Sequence, residues 1–170
     1  MKLKTIVITL FVILVIVGLL VLSYTKNGNT IAGVQGIESS GAKSVLTASS
    51  TMYDFGTISM MSGNVTKDFI FGNQTDSDVI ISGVQTSCMC TSALLVGADG
   101  SIKGPFGMPG MGGMTSTNDT IKAGETRILR VIYDPNAHGP AGVGAIDRFV
   151  TVTDSTGASL QYEIKAVVTP

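Results

Sequence analysis

The chain has no tryptophan, one histidine (His138) and only two cysteines in 170 residues. A single histidine leaves no histidine-rich metal site and gives poor support to a hydrolytic triad. Charged residues are 14% of the chain, and 11 basic against 12 acidic side chains leave a formal charge of −1, with no basic block or acidic tail. That argues against a nucleic-acid surface, which needs a stripe of lysine and arginine to neutralise phosphates. "GPFGMPGMGG" lacks the lysine followed by serine or threonine that a phosphate loop requires. Asp54, Asp134 and Asp147 read as turn and strand-end residues rather than a catalytic pair, because no partnering base is identifiable. The composition favours a non-enzymatic protein with no evident small-molecule substrate.

What the chain does have begins at its N-terminus, "MKLKTIVITLFVILVIVGLLVLSYTK". Lys2 and Lys4 precede an apolar run from Ile6 to Leu22, broken only by Thr9 and Gly18. About 17 residues rising roughly 1.5 Å each make a helix of about 25 Å, at the short end of a membrane span. Ser23 and Tyr24 extend it into the interface, where tyrosine is favoured. The sequence predicts a cytoplasmic stub over 1–5 and a single transmembrane anchor over 6–24, with everything beyond it extracytoplasmic, in a periplasm or at a cell surface. A cleaved signal peptide is the alternative; against it stand the length of the run and the lack of a small-x-small site in "VLSYTKNGN". No cysteine follows the run for lipid attachment, and no acidic residue lies in it to suggest a pilin-like helix.

Residues 25–43 are rich in Gly, Ser and Asn and read as a flexible stalk. From Ser44 onward short β-type runs alternate with turn clusters, and no amphipathic helix appears. The runs are "SVLTAS", "YDFGTISM", "NVTKDFIFGN", "DVIISGVQTS", "ETRILRVIYD", "AIDRFVTVTD" and "SLQYEIKAVV". The last is the cleanest, with Leu160, Tyr162, Ile164, Ala166 and Val168 on one face and Gln161, Glu163 and Lys165 on the other. Val65, Phe69 and Phe71 share a face, as do Leu129, Val131 and Tyr133. About seven strands over 44–170 predict an all-β fold, an immunoglobulin-like antiparallel β-sandwich. The two cysteines stand too close in sequence to form the cross-sheet bridge of antibody domains, so aliphatic packing has to hold the core.

One segment breaks the rhythm. "GADGSIKGPFGMPGMGGMTSTND", about 97–119, sets Met108, Met111 and Met114 three apart among glycine and proline. Those residues rule out a helix, so the segment is expected to be a long loop inserted between strands. Three sequons, at Asn64, Asn73 and Asn118, matter only in a host that glycosylates exported chains.

"YDFGTI", "FIFGNQTDSDVIISGVQTSCMCT" and "IKAGETRILRVIYDP" resemble, in order and spacing, the bacterial domain-of-unknown-function family numbered 1573. The matching positions are Asp54, Phe55, Gly56, Asn73, Ser87, Cys88, Cys90, Thr91, Gly124, Glu125, Tyr133 and Asp134, and the resemblance runs from about Thr51 to Val168. It implies an Ig-like sandwich similar to ASH and major-sperm-protein domains, in an exported, anchored or lipidated envelope protein, and it brings no biochemical activity. The chain departs from the family in two places. Met89 stands where a glycine is usual between the cysteines, and the methionine segment is longer than the usual connection.

In an extended strand Cys88 and Cys90 point to one face with Cα atoms about 6.5 Å apart. That is near the upper limit for a disulfide, so closing one needs a kink, which Met89 adopts less readily than glycine. A bond there closes a tiny loop and adds little stability. Two thiols on one face also suit copper(I), with Met108, Met111 and Met114 as further donors if the loop folds back, and His138 if its own loop lies at the same end. Set against both is simple packing, since free cysteine is among the most buried residues. A structural role for the cysteines ranks first, thiol redox chemistry second and a soft metal third. Copper is thus the one cofactor for which the chain offers candidate ligands.

The expected function is a membrane-anchored, exported Ig-like module that binds an envelope protein and performs no catalysis. The alternative is an envelope thiol-redox or copper(I)-binding protein centred on Cys88-Met89-Cys90.

Overall fold

The computed structural model of the protein describes Leu14 and residues 44–170. The stub, anchor and stalk expected over 1–43 lie outside the described residues, Leu14 apart. Among the described residues no helix is long and apolar enough to cross a membrane.

Alternating apolar residues after Ser44 fold into ten strands. They are β1 (Leu46–Ala48), β2 (Met52–Ser59), β3 (Val65–Asn73), β4 (Val79–Thr86), β5 (Thr91–Gly97), β6 (Ile102–Phe106), β7 (Ser116–Ile121), β8 (Thr126–Tyr133), β9 (Gly144–Asp154) and β10 (Ser159–Thr169). One sheet has the order β1-β3-β8-β5-β6 and the other β2-β10-β9-β4-β7. Their inner faces share a single apolar core that includes Phe69, Phe71, Leu129 and Val131 from the first sheet and Ile81, Val84, Val152 and Tyr162 from the second. The face expected on β10 is the buried one: Tyr162, Ile164, Ala166 and Val168 are inside, and Leu160 packs against them. At roughly 25 cal/mol per Å² of apolar area, these aliphatic and aromatic side chains hold the sheets together without tryptophan.

Two features differ from the sequence expectation. The strand count is ten rather than seven, because β5, β6 and β7 were hidden, and pairing is not wholly antiparallel, since β2 runs parallel to β10. "TSALLVG" escapes an alternation search because its outward residues, Leu94 and Val96, are as apolar as its inward ones. The segment expected as a loop over 97–119 contains β6 and β7, which leave only a short turn-rich connection around Met108–Gly113. β6 can hold Pro105 because it is an edge strand. Gly104 has φ +118 and a Cβ there would sit 2.8 Å from the Ala93 carbonyl, so the bulge between β5 and β6 requires glycine.

At the end of the sandwich where β3 finishes and β8 and β10 begin, buried polar groups are fully engaged. The Asn73 side chain donates to the carbonyls of Ser77 (2.7 Å) and Ile121 (3.0 Å) and accepts from the Thr75 N–H and hydroxyl. Buried Asp119 receives Arg127 Nε at 3.0 Å and Lys103 Nζ at 2.6 Å, while Glu125 takes the other side of the same guanidinium at 2.6 Å. That network ties β7 of one sheet to β6 and β8 of the other. Asn73, with no exposed surface, is not an accessible glycan acceptor despite its sequon.

Candidate functional site

The opposite end of the sandwich carries the cysteines. They do not lie in a strand: Ser87 to Cys90 form the reversal between β4 and β5, which brings the two Cα atoms to 5.3 Å, and their sulfurs are bonded. The kink that the sequence made doubtful is supplied by a set of surrounding hydrogen bonds. Ser87 pairs with Phe149 on β9, its N–H donating to the Phe149 carbonyl and its hydroxyl accepting the Phe149 N–H, both at 2.9 Å. The Cys88 carbonyl accepts from the Thr91 N–H at 3.1 Å and the Thr86 hydroxyl at 3.0 Å, and the Cys90 carbonyl accepts from the Asp134 N–H at 2.9 Å. With its backbone pinned on three sides, the turn does not need a glycine at position 89, and Met89 points outward, 55% exposed.

The two sulfurs have different surroundings. Cys90 is buried at 3% exposure, whereas Cys88 is half-buried. His138, in the loop after β8, places Nε2 3.3 Å from Cys88 Sγ. Arg148, on β9, donates Nε to Cys90 Sγ at 3.3 Å and Nη1 to the Asp147 carbonyl at 2.8 Å. Among the described residues Arg148 forms no ion pair, so the sulfur is its nearest soft, polarisable partner. Tyr133, buried beside this end, has its hydroxyl pKa raised by burial.

Of the candidates read from sequence, the fold therefore gathers Cys88, Cys90 and His138, whose ligand atoms lie within 4.8 Å of one another. With the sulfurs reduced, these three could hold one soft ion. The methionines group elsewhere: Met108 and Met111 line a shallow cleft of ≈ 220 Å³ with Met89, Phe106 and Pro105, on the outward side of the turn. Met114 is 49% exposed, bridged to Phe106 and not part of that lining. Met108 and Met111 thus share a cleft with Met89, and no cysteine lines it.

Arg148 was missed. Its signal lay in "AIDRFVTVTD", where alternation sets Arg148 on the inward face with Ile146, Val150 and Val152. A cation at an inward strand position needs a partner. Several other family-like positions shape bulges and turns. Asp54 accepts the Gly56 N–H at 2.7 Å, Asp134 accepts the Asn136 N–H at 2.8 Å, and Glu125 accepts the Lys122 N–H at 2.9 Å beside Gly124 at φ +74.

The model of the family described as "Protein of unknown function (DUF1573)" matches residues 46–106, which run from β1 through the cysteine reversal to β6. The Gly124–Glu125 turn and Tyr133–Asp134 lie beyond the matched part. In fold the chain is similar to a protein of unknown function from Porphyromonas gingivalis W83, at 16% identity and a TM-score of 0.52, over 72% of this chain and 46% of that one. Weaker likenesses are to the VesB protease of Vibrio cholerae (14% identity, TM-score 0.49, 72% of this chain and 32% of that one) and to PapD-like domain 7 of human CEP192 (9%, 0.46, 84% and 97%). The chain spans less than half the length of the first two. No curated protein matches the sequence.

Proposed function

We propose that the chain is an exported, membrane-anchored Ig-like module of a bacterial envelope that binds another envelope protein and catalyses no reaction through its sheets. The observation that carries this is β2. It ends its sheet, runs for eight residues, and none of them is buried. The other edges are blunted: β1 has three residues, β6 contains Pro105 and a bulge, and β7 is polar with its register broken against β4. β2 is the longest of the four edge strands; a bulge opposite Lys165–Val167, where Asp54 takes the Gly56 N–H, interrupts it, and Met52 and Tyr53 at its start are 51% and 37% exposed. A row of unpaired N–H and C=O groups beside exposed apolar side chains is what an incoming strand adds to. The apolar run over 6–22, headed by Lys2 and Lys4, supports the anchored, extracytoplasmic placement.

The test is site-specific photo-crosslinking of the full-length chain in cells, with the probe at Thr57 on β2, Thr120 on β7 or Thr47 on β1. The expected result is one discrete adduct with an envelope protein from Thr57 alone. Equal adducts from all three sites, or none, overturn the reading. Placement is tested separately by fusing alkaline phosphatase after Pro170; the fusion is expected to be active and to sediment with membranes.

A further inference from the structure

The surroundings of the two sulfurs assign them different tasks. We propose that Cys88–Cys90 is a reactive disulfide that oxidises a protein dithiol, with Cys88 the sulfur attacked and Cys90 the sulfur that leaves. Access sets the first assignment, because Cys88 is half-buried and Cys90 is 3% exposed. Charge sets the second. Arg148 Nε lies 3.3 Å from Cys90 Sγ and among the described residues is in no ion pair, so a thiolate forming on Cys90 is born beside a cation. The same cation opposes a metal ion held between the sulfurs. This distinguishes thiol exchange from copper binding, which the donor set alone does not.

A thiolate of the partner attacks Cys88 Sγ and forms a mixed disulfide. The Cys88–Cys90 bond breaks and its electron pair goes to Cys90 Sγ, beside Arg148. The partner's second thiolate then attacks the partner sulfur of the mixed disulfide. Cys88 leaves as a thiolate facing His138 Nε2 at 3.3 Å. The partner dithiol has lost two electrons and two protons and become a disulfide, and Cys88 and Cys90 have gained them. A second disulfide, from a small molecule or a protein, reverses the steps and restores the oxidised form. Sequence separation fits this use: the bond closes a loop with one residue between its cysteines, where chain-entropy stabilisation is smallest, and the backbone of the turn is held by Phe149, Thr86, Thr91 and Asp134 in any case. The inference depends on the exported reading only for the persistence of a disulfide in the cell. The exchange itself is measured on purified protein, so its failure is separate from failure of the localisation test.

The experiment uses the full-length chain in detergent, with glutathione as probe and alkylation followed by intact mass as readout. Reduced glutathione is expected to open the bond, and Arg148→Met to slow opening about tenfold, with Arg148→Lys restoring most of the rate. With oxidised glutathione, the Cys90→Ser variant is expected to form an adduct at Cys88 at least about ten times faster than Cys88→Ser forms one at Cys90. A bond that glutathione does not open, equal adduct rates at the two sulfurs, or an opening rate unchanged in Arg148→Met each overturn the proposal. So does one-to-one binding of copper(I) by the reduced chain against a competing chelator that Arg148→Met leaves unaltered.

Discussion

Two arginines on inward strand positions stand at opposite ends of this sandwich, and their partners differ. Arg127 is enclosed by Asp119 and Glu125, with Lys103 completing the network. Arg148 faces a sulfur and a carbonyl. The first arrangement is closed: every charge is met by another charge, and the reward is a seam between the two sheets. The second is open, because the guanidinium is in no ion pair among the described residues and its Nε faces the Cys90 sulfur. The difference separates an end whose charges pair off from an end where a cation meets a sulfur, although both use the same residue type.

The comparison can be broken most directly by removing each arginine. Arg127→Met should cost about 3 kcal/mol in urea unfolding, the low end for breaking a buried pair, since Glu125 loses its partner while Asp119 keeps Lys103. Arg148→Met should cost less, about 1 kcal/mol, because no ion pair is broken and Asp147 keeps Lys165 at 3.9 Å. Equal losses would mean that Arg148 is as structural as Arg127.

Asn73→Ala should be the next largest loss at the closed end, about 2–3 kcal/mol by the same measurement. It removes four hydrogen bonds from a residue with no exposed surface.

Two aspartates on β9 sharpen the contrast through pH. For Asp154, burial raises the cost of its charge, but bonds from Thr156, the Ser44 hydroxyl and the Ala158 N–H outweigh it and hold the carboxyl below its ordinary range. A depressed folded pKa contributes stability that is present above the unfolded value and lost as pH falls through the folded one. Asp147, toward the cysteine end, has the opposite shift: burial first, then the neighbouring Glu163, push it up. Its contribution is present below the unfolded value and lost as pH rises through the raised one. Urea midpoints followed from about pH 3 to about pH 7 should therefore show Asp154→Asn flattening the acid limb and Asp147→Asn raising the midpoint at the neutral end. Identical profiles for the two variants would erase the contrast.

The smallest effect belongs to the methionine connection. Replacing Met108–Gly113 by a two-residue turn should shift stability by less than about 1 kcal/mol, as these residues are not buried. Deleting all of 97–119 should instead unfold the domain, because Phe106, fully buried, lies within it and Asp119 anchors the ion network.

Strand alternation was legible where polar residues mark the outer face, wholly or in part, as on β3, β8 and β10, because burial acts on every second residue. It failed on β5, whose two faces are both apolar, on β6, where Gly104 and Pro105 suggested a loop although an edge strand tolerates both, and on β7, whose short polar run "STNDTI" follows directly on the glycine-rich stretch. The cysteine pair was legible as a site but not as a turn. Local geometry put Met89 in an extended strand, whereas bonds from Phe149, 60 residues away in sequence, hold the reversal closed.

The sequence by itself determined an all-β domain, the faces of its polar-lined strands, the apolar N-terminal run and the one place where sulfur chemistry can occur. These follow from local periodicity and composition, which act within a few residues. Only the tertiary structure decided that His138 meets Cys88, that Arg148 meets Cys90, and that Met108 and Met111 share a cleft with Met89. Each of those neighbours comes from a different loop or strand, and no spacing along a chain encodes which ends of two packed sheets coincide.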